Sequence, residues 1–443
     1  ADAKNHSIGN KITLEGSNSE VYHMTGGFTD VAGGKATGNS AVLDGGRVTG
    51  NLAGGRAHDG EVSGNKVEIN GGRVDGTTHG GITGGTGKAE KNIVTLTDGT
   101  ASGNIFGGIS EHGDTVDNTV TIKGGSATTA DVYGGKTENN GNSTGNKVFI
   151  DGGGKQDIFG GYSQSGNATG NTVTITGGTV RNVDGGRSLT GNATNNTVNL
   201  GDGKSNFAGS ITGVIYGGGG SGSGDYLTGN TLNVYDNVTV SNISNFENIN
   251  FRFNTYVTKT DTFLTLTNSG GSFIKSLSGL NVHGEHGRKG TLLKNTHGIT
   301  ISEGGNRLVK TNENKELVLA KSSDSKQIDY EGYQFKGATN TTTVEDGANK
   351  DIFGGRSIGA NTTTGNIITV SDAQTYRNVY GGWTTGSGTT ATAKNDSTSN
   401  EVTVNGSASV TGTVYGGFTD VAGGKATGNT VTLSGLNGAG HTH

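Results

Sequence analysis

The chain is 443 residues long with a net charge of −5, and it holds 86 glycines but no proline and no cysteine. The missing proline and the lack of a three-residue period exclude collagen, and the missing cysteine excludes disulfide and thiolate chemistry. A pI near 6.1 gives no electrostatic reason to expect nucleic acid, and no apolar run is long enough to span a membrane.

Hydrophobic residues make up 29% and charged ones 16%, a balance that alone would permit disorder. A regular period overrides it. The pattern Asn-x-apolar-x-apolar is led in turn by Asn10, Asn39, Asn65, Asn92, Asn118, Asn146, Asn171, Asn196, Asn230, Asn366, Asn400 and Asn429. Up to Asn196 the leaders lie 25 to 29 residues apart. Side chains alternate between the faces of a strand, so Asn171, Val173 and Ile175 share one face and Thr172 and Thr174 the other. One such strand buries too little to stand alone, whereas copies stacked in register bury a continuous core. The period suits a coil of two or three short strands, and Val, Ile and Thr fill the alternating runs with no helical stripe. The expected fold is all-β, a parallel β-helix (a solenoid) rising about 4.8 Å per coil. Each asparagine is expected at a corner, its amide bonded to the copies above and below. The absence of proline agrees with strands that pair on both sides.

A second marker is an aliphatic residue followed by an often aromatic one and then Gly-Gly, as in Ile105-Phe106, Val132-Tyr133, Ile158-Phe159, Ile352-Phe353 and Val379-Tyr380. The aliphatic member should point in and its neighbour out, with the glycines allowing a positive φ or a close backbone approach. The chain therefore divides into coils over 1–234, an irregular β insert or degenerate coils over 235–345, and coils again over 346–443. The middle block loses glycine and gathers Tyr235, Phe246, Phe251, Phe253, Tyr256, Phe263, Phe273, Tyr330, Tyr333 and Phe335. Part of it reads as a small β-subdomain that offers a binding surface, although its rings could equally fill a local core. GGFTDVAGGKATGN occurs at Gly26–Asn39 and again at Gly416–Asn429, 390 residues on, which points to tandem repetition of the whole module in a longer parent. Both ends stop in mid-pattern, as an excised fragment would.

The phrases VYGG at Val414–Gly417 and GNTVTITGG at Gly170–Gly178 resemble the passenger regions of large autotransporter adhesins of diderm bacteria, over roughly two thirds of the chain. The resemblance implies type V secretion, a right-handed β-helix and display at the cell surface, anchored through the outer membrane in the full-length protein. The implied function is adhesive and structural, with no catalysis and no catalytic residues to carry over. The expected partner is a host or bacterial surface glycan or protein, or the chain's own copies, with no membrane contact by this segment. No cofactor is expected.

The best binding candidate is the stripe of rings beside Gly-Gly. Phe106, Tyr133 and Phe159 fall on consecutive coils, Asp184 interrupts, Tyr216 resumes, and Phe353, Tyr380 and Tyr415 repeat the position later. Rings spaced by one coil could take sugar faces or anchor a protein; the plainer reading is that they stack on one another. Asp131, Asp157, Asn182, Asp351 and Asn378 just precede the aliphatic residue, where a calcium site and a solvated turn are the alternatives. His283 and His286 form an H-x-x-H read as loop residues, because nothing upstream completes a zinc set. Gly217–Tyr226 lacks the aspartate of a calcium nonapeptide, having Gly224 there, and Lys66, Glu68, Phe149 and Ile367 interrupt any ice-binding threonine lattice. The rival function is a polysaccharide lyase or hydrolase built on a β-helix, whose nearest candidate acid is Asp184 between Arg181 and Arg187.

Overall fold

A computed structural model describes residues 5–442 except 128, 155–156, 254–261, 285–288, 313, 341–344, 347–350, 359–360, 372–374, 386–394, 407 and 436–440. The chain forms two compact units, one chiefly Ala1–Val257 with Phe263–Asn281 and Leu293–Glu303, the other chiefly Gly304–His443. In the first unit every strand pairs in parallel with its copy one coil away. A representative coil runs Asp157–Ser163, Ala168–Thr169, Thr172–Ile175 and Gly177–Val180. The four strand positions stack into separate sheets, of which the asparagine-led sheet holds eleven strands, the Gly-Gly sheet nine and the short-strand sheet eight. Register is strict: Val148, Val173 and Val198 align, as do Ile150, Ile175 and Leu200, and all six are buried. The fold is a parallel β-solenoid.

The asparagine corner is fully satisfied. Asn146 Nδ2 donates to Asn171 Oδ1 at 3.1 Å, and the Asn146 backbone N–H donates to the same oxygen at 3.0 Å. Its second Nδ2 proton goes to the carbonyl of Thr115 at 3.1 Å. The same contacts recur from Asn39 through Asn196, with Asn10 leading in and Asn230 closing the run. In the second unit Asn366, Asn400 and Asn429 repeat them. From Asn39 through Asn196 each amide thus donates twice and accepts twice, its full capacity.

Two glycine positions follow from this column. The residue before each ladder asparagine has positive φ: Gly145 +67°, Gly170 +67°, and Asp117 +54°, Asn195 +58° and Lys91 +54° where glycine is replaced. The Gly-Gly pair is needed for a different reason, since neither of its members adopts positive φ in the coils of Tyr133 and Phe159. A Cβ on Gly134 would lie 2.2 Å from the carbonyl oxygen of Gly160, and one on Gly135 would lie 2.6 Å from the Asn146 amide. The pair permits close approach, and the second glycine makes room for the ladder.

The block after residue 234 keeps parallel pairing as far as Ile301. Thr231–Val234 pairs with Asn248–Arg252, Val238–Val240 with Leu264–Leu266, and Ser272–Ile274 with Ile299–Ile301. Glu247 takes the ladder position after Asn230, and its carboxylate accepts the Gly229 N–H at 2.7 Å. An amide column reappears further along the same strands, where Asn233, Asn250 and Asn281 each donate to the preceding member, beginning at Asn199. Phe246, Phe251, Phe263 and Tyr330 are buried, so these rings fill local cores, while Phe273 is 64% exposed. In the second unit Arg307–Asn312, Lys315–Lys321 and Gln327–Gln334 form an antiparallel meander. Buried Glu316 there accepts from Ser357 Oγ, the Ile358 N–H and Asn361 Nδ2 at 2.6–2.8 Å, tying the meander to the first Gly-Gly strand of that unit. The two copies of GGFTDVAGGKATGN occupy equivalent places, each running from a Gly-Gly strand through a short strand to a ladder asparagine.

Replacing Asn171 with Ala removes the oxygen that accepts both the backbone N–H and an Nδ2 proton of Asn146, and strips a donor from the Ser143 carbonyl and from Asn196 Oδ1. The expected cost is roughly 2–4 kcal/mol. Amides of the coils beside Asn171 should lose protection in hydrogen exchange while those near Asn39 keep theirs, because solenoid stability is a nearest-neighbour sum. A uniform change along the first unit would contradict the column's role.

Candidate functional site

The ring stripe exists and is closed. Phe106 and Tyr133 stack at 5.0 Å between centroids, and Tyr133 and Phe159 at 4.7 Å, with interplanar angles of 14° and 9°. In the second unit Phe353, Tyr380 and Tyr415 stack at 5.1 and 4.8 Å. Phe106, Tyr133, Phe159, Phe353 and Tyr380 are buried, while Tyr216 and Tyr415 are half-buried. Tyr216 lies in register with Asp184, so it does not continue the stack. The outward position is therefore not an exposed one: the faces that would meet a ligand meet neighbouring rings. His79, which breaks the aliphatic-aromatic pattern in sequence, extends the stack by lying on Phe106 at 5.3 Å.

A second row covers the first. It is formed by the residue directly after Gly-Gly, which runs Phe28, Arg56, Ile82, Ile109, Lys136, Tyr162 and Arg187 over seven coils. Tyr162 sits edge-on to Tyr133 and Phe159, and the Lys136 ammonium lies 5.6–5.7 Å from the rings of Phe106, Tyr133 and Tyr162. In the second unit this row is Arg356, Trp383 and Phe418. Trp383 stacks on Phe353 and Tyr380, and the Arg356 guanidinium is 4.6 Å from the Trp383 ring centre. Cation–π contacts of this kind contribute roughly 0.5–2 kcal/mol each.

Beside the second row of the first unit runs a groove of 620 Å³. Phe28, Arg56, Ile82 and Ile109 line it together with the residues two places further on, Asp30, His58, Gly84, Glu111, Glu138 and Gln164. These belong to six successive coils, so the groove follows the stacking direction for about 24 Å. Its volume is that of an ordinary ligand site. Each contributing turn looks like a plain polar loop in sequence, and only the coil register shows that the same position is read six times.

The turn acids Asp131 and Asp157 are partly buried, and each accepts a main-chain N–H from the next coil. The Asp157 N–H donates to Asp131 Oδ1 and the Asn182 N–H to Asp157 Oδ1, at 3.1 and 3.2 Å. Asn104 precedes them and accepts the Asp131 N–H, and Asn182 in turn accepts the Val214 N–H. This is a second side-chain column, with Arg181 holding Asp157 by two bonds of 2.7 Å. Asp351 and Asn378 repeat it with Arg377. Among the described residues no group of three His, Asp or Glu is placed to hold a metal. His286 lies outside the described residues.

Arg181 is thus occupied by Asp157, and Asp184 pairs with Arg187 alone, at 3.3 Å. Asp184 is 2% exposed, its Oδ1 has no hydrogen-bond partner, and burial pushes its carboxyl up to about 7 against the pull of Arg187. It is enclosed in the ring stripe rather than open to a substrate. No helix among the described residues is long and apolar enough to cross a membrane. No family model, curated protein or solved structure matches the chain.

Asp184 and His79 make opposite contributions to stability. The folded state keeps Asp184 protonated up to about pH 7 while the unfolded chain ionises near 4, so this site loses stability as pH rises from about 4 to 7. Burial, with Arg56 adding to it, lowers His79 to about 4, so its coil loses stability as pH falls from about 6.5 to 4. Asp184→Asn should raise protection of neighbouring amides at pH 8, by on the order of 2 kcal/mol, and leave it unchanged near pH 4. His79→Phe should remove the acid sensitivity of its coil. Hydrogen exchange at the two pH values measures both; equal effects of Asp184→Asn at pH 4 and 8 would contradict the raised carboxyl.

Proposed function

We propose that this chain is an extracellular structural and adhesive segment of a bacterial surface autotransporter, serving attachment to host cells, other bacteria or its own copies. One observation carries the reading: the interior is constant while the outer rows vary from coil to coil. Asparagine, Gly-Gly and aliphatic positions repeat with little change. The position after Gly-Gly passes through Phe28, Arg56, Ile82, Lys136 and Tyr162, and the position two residues further on through Asp30, His58, Glu111 and Gln164. A rigid frame that presents a varying surface is the arrangement of a recognition rod. The resemblance of the Gly-Gly and asparagine phrases to autotransporter passengers supplies the cellular setting, and with it the cell-surface location.

The groove supports a second reading, a carbohydrate-active β-helix, because Glu111 and Glu138 stand on adjacent coils along it. The groove, rather than Asp184, is where such chemistry would sit. Beads coated with the purified chain should adhere to bacterial or epithelial cells. A panel of polysaccharides incubated with the chain should keep its length in size-exclusion chromatography. Shortened polysaccharide would replace adhesion by catalysis, and uncoated-bead levels of attachment to every cell type and to coated beads would remove the adhesive reading.

A further inference from the structure

The groove has a chemical character that narrows what it holds. Its long direction is the stacking direction of the coils, and the main chain already bonds along it. The Gly84 N–H donates to the carbonyl of His58, that of Glu111 to Thr83 and that of Glu138 to Ser110, at 3.0–3.1 Å. No strand edge is therefore open to a peptide laid in the groove. Such a peptide would bring its own N–H and C=O groups against Ile82 and Ile109 without partners, at a cost for each. Recognition has to come from side chains.

Those side chains are of two kinds. Half-buried Ile82 and the ring of Phe28, which is 53% exposed, offer an apolar strip over buried Ile109. Asp30, Glu111, Glu138, Asn139 and Gln164 offer carboxylate and amide oxygens that accept hydrogen bonds. The C–H face of a pyranose ring suits the first, and hydroxyl or ammonium protons suit the second. An extended β-1,4-linked polysaccharide advances one sugar ring in close to the rise of one coil with alternate rings turned over, so every second ring meets the groove with the same edge.

Charge narrows the class further. Three carboxylates line the groove against one fixed cation, Arg56, which lies 5.8 Å from the ring of Phe28. Lys136, close by, pairs with Glu138 at 2.8 Å, while the ion-pair contact of Glu111 is the exposed His112 at 3.6 Å. Counting Lys136, the surface carries one net negative charge, three carboxylates against two cations, which disfavours uronates and sulfated or sialylated glycans and favours ammonium groups.

We propose that the groove running from Phe28 to Gln164 binds a linear polysaccharide carrying free amino groups, of the kind left when an N-acetylhexosamine polymer is partly deacetylated. The assignment rests on the adhesive reading above and gives it a ligand. Asp30, Glu111 and Glu138 take the ammonium groups, Asn139 and Gln164 the hydroxyls, and Phe28 and Ile82 the ring faces.

The test uses the full chain and a β-1,4-linked glucosamine hexamer at pH 6, with titration calorimetry as the readout. The fully N-acetylated hexamer, a heparin hexasaccharide and hexalysine serve as comparisons. The glucosamine hexamer should bind most tightly and heparin not at all. Glu111→Gln with Glu138→Gln should weaken it about tenfold, Ile82→Arg should abolish binding, and Phe149→Ser, outside the groove, should leave it unchanged. Circular dichroism confirms that each variant is folded. Hexalysine binding as tightly, with the same losses in the variants, would make the groove a general cation surface and overturn the proposal. So would absent hexamer binding, or affinity indifferent to the two glutamates. Chromatography of the recovered hexamer addresses the underlying reading separately: a shortened product would leave the ligand assignment standing and remove adhesion as its purpose.

Discussion

A buried primary amide with all four of its hydrogen-bonding valences filled is the constraint on which the solenoid depends. An unpaired amide in the interior would cost several kcal/mol, so the column must be complete at every coil or the interior must be rebuilt. Completeness dictates the surrounding sequence. The chain must enter each asparagine through a left-handed residue, which is why glycine usually precedes it. The strand opposite must come close enough that Gly135 cannot carry a Cβ beside Asn146. A third element, the carbonyl of the short strand one coil back, must point at the second amide proton. A glycine before a ladder asparagine, or second in a Gly-Gly pair, is thus a consequence of asparagine.

Much of this was legible in the residues, because a period of 25 to 29 and a two-residue alternation are local signals that survive without coordinates. The amide column and the inward aliphatics are where the pattern puts them. The ring stripe is only half legible. Alternation tells which side of the strand Tyr133 occupies, but burial is set by Lys136 and Tyr162, whose contact arises because the sheet passes through two consecutive close-approach glycines. Period-two reasoning breaks at such a step. The turn acids misled for a related reason: Asp131 and Asp157 look like repelling neighbours until the N–H of each following copy is seen to fill the space between them.

The stretch after residue 234 shows what happens when the column is given up. Glu247 replaces asparagine, large rings such as Phe246 and Phe251 fill the interior, and the amide ladder continues through Asn233, Asn250 and Asn281 instead. The sequence signature vanishes there although parallel pairing persists as far as Ile301. The groove was illegible for the opposite reason: it is written one residue per coil, in turns that individually resemble ordinary polar loops.

The polarity of the amide column has a consequence for how such a chain changes length. From Asn39 through Asn196 every ladder asparagine presents the same acceptor to the coil before it and the same donor to the coil after it. Removing one whole period, for example from Asn146 up to Asn171, would bring Asn118 against Asn171 with the same bonding it had to Asn146. Gain or loss of complete periods is therefore conformationally silent, whereas gain or loss of any other number of residues is not unless a turn absorbs it. A run of coils can therefore lengthen or shorten by whole periods while its interior bonding stays as it was.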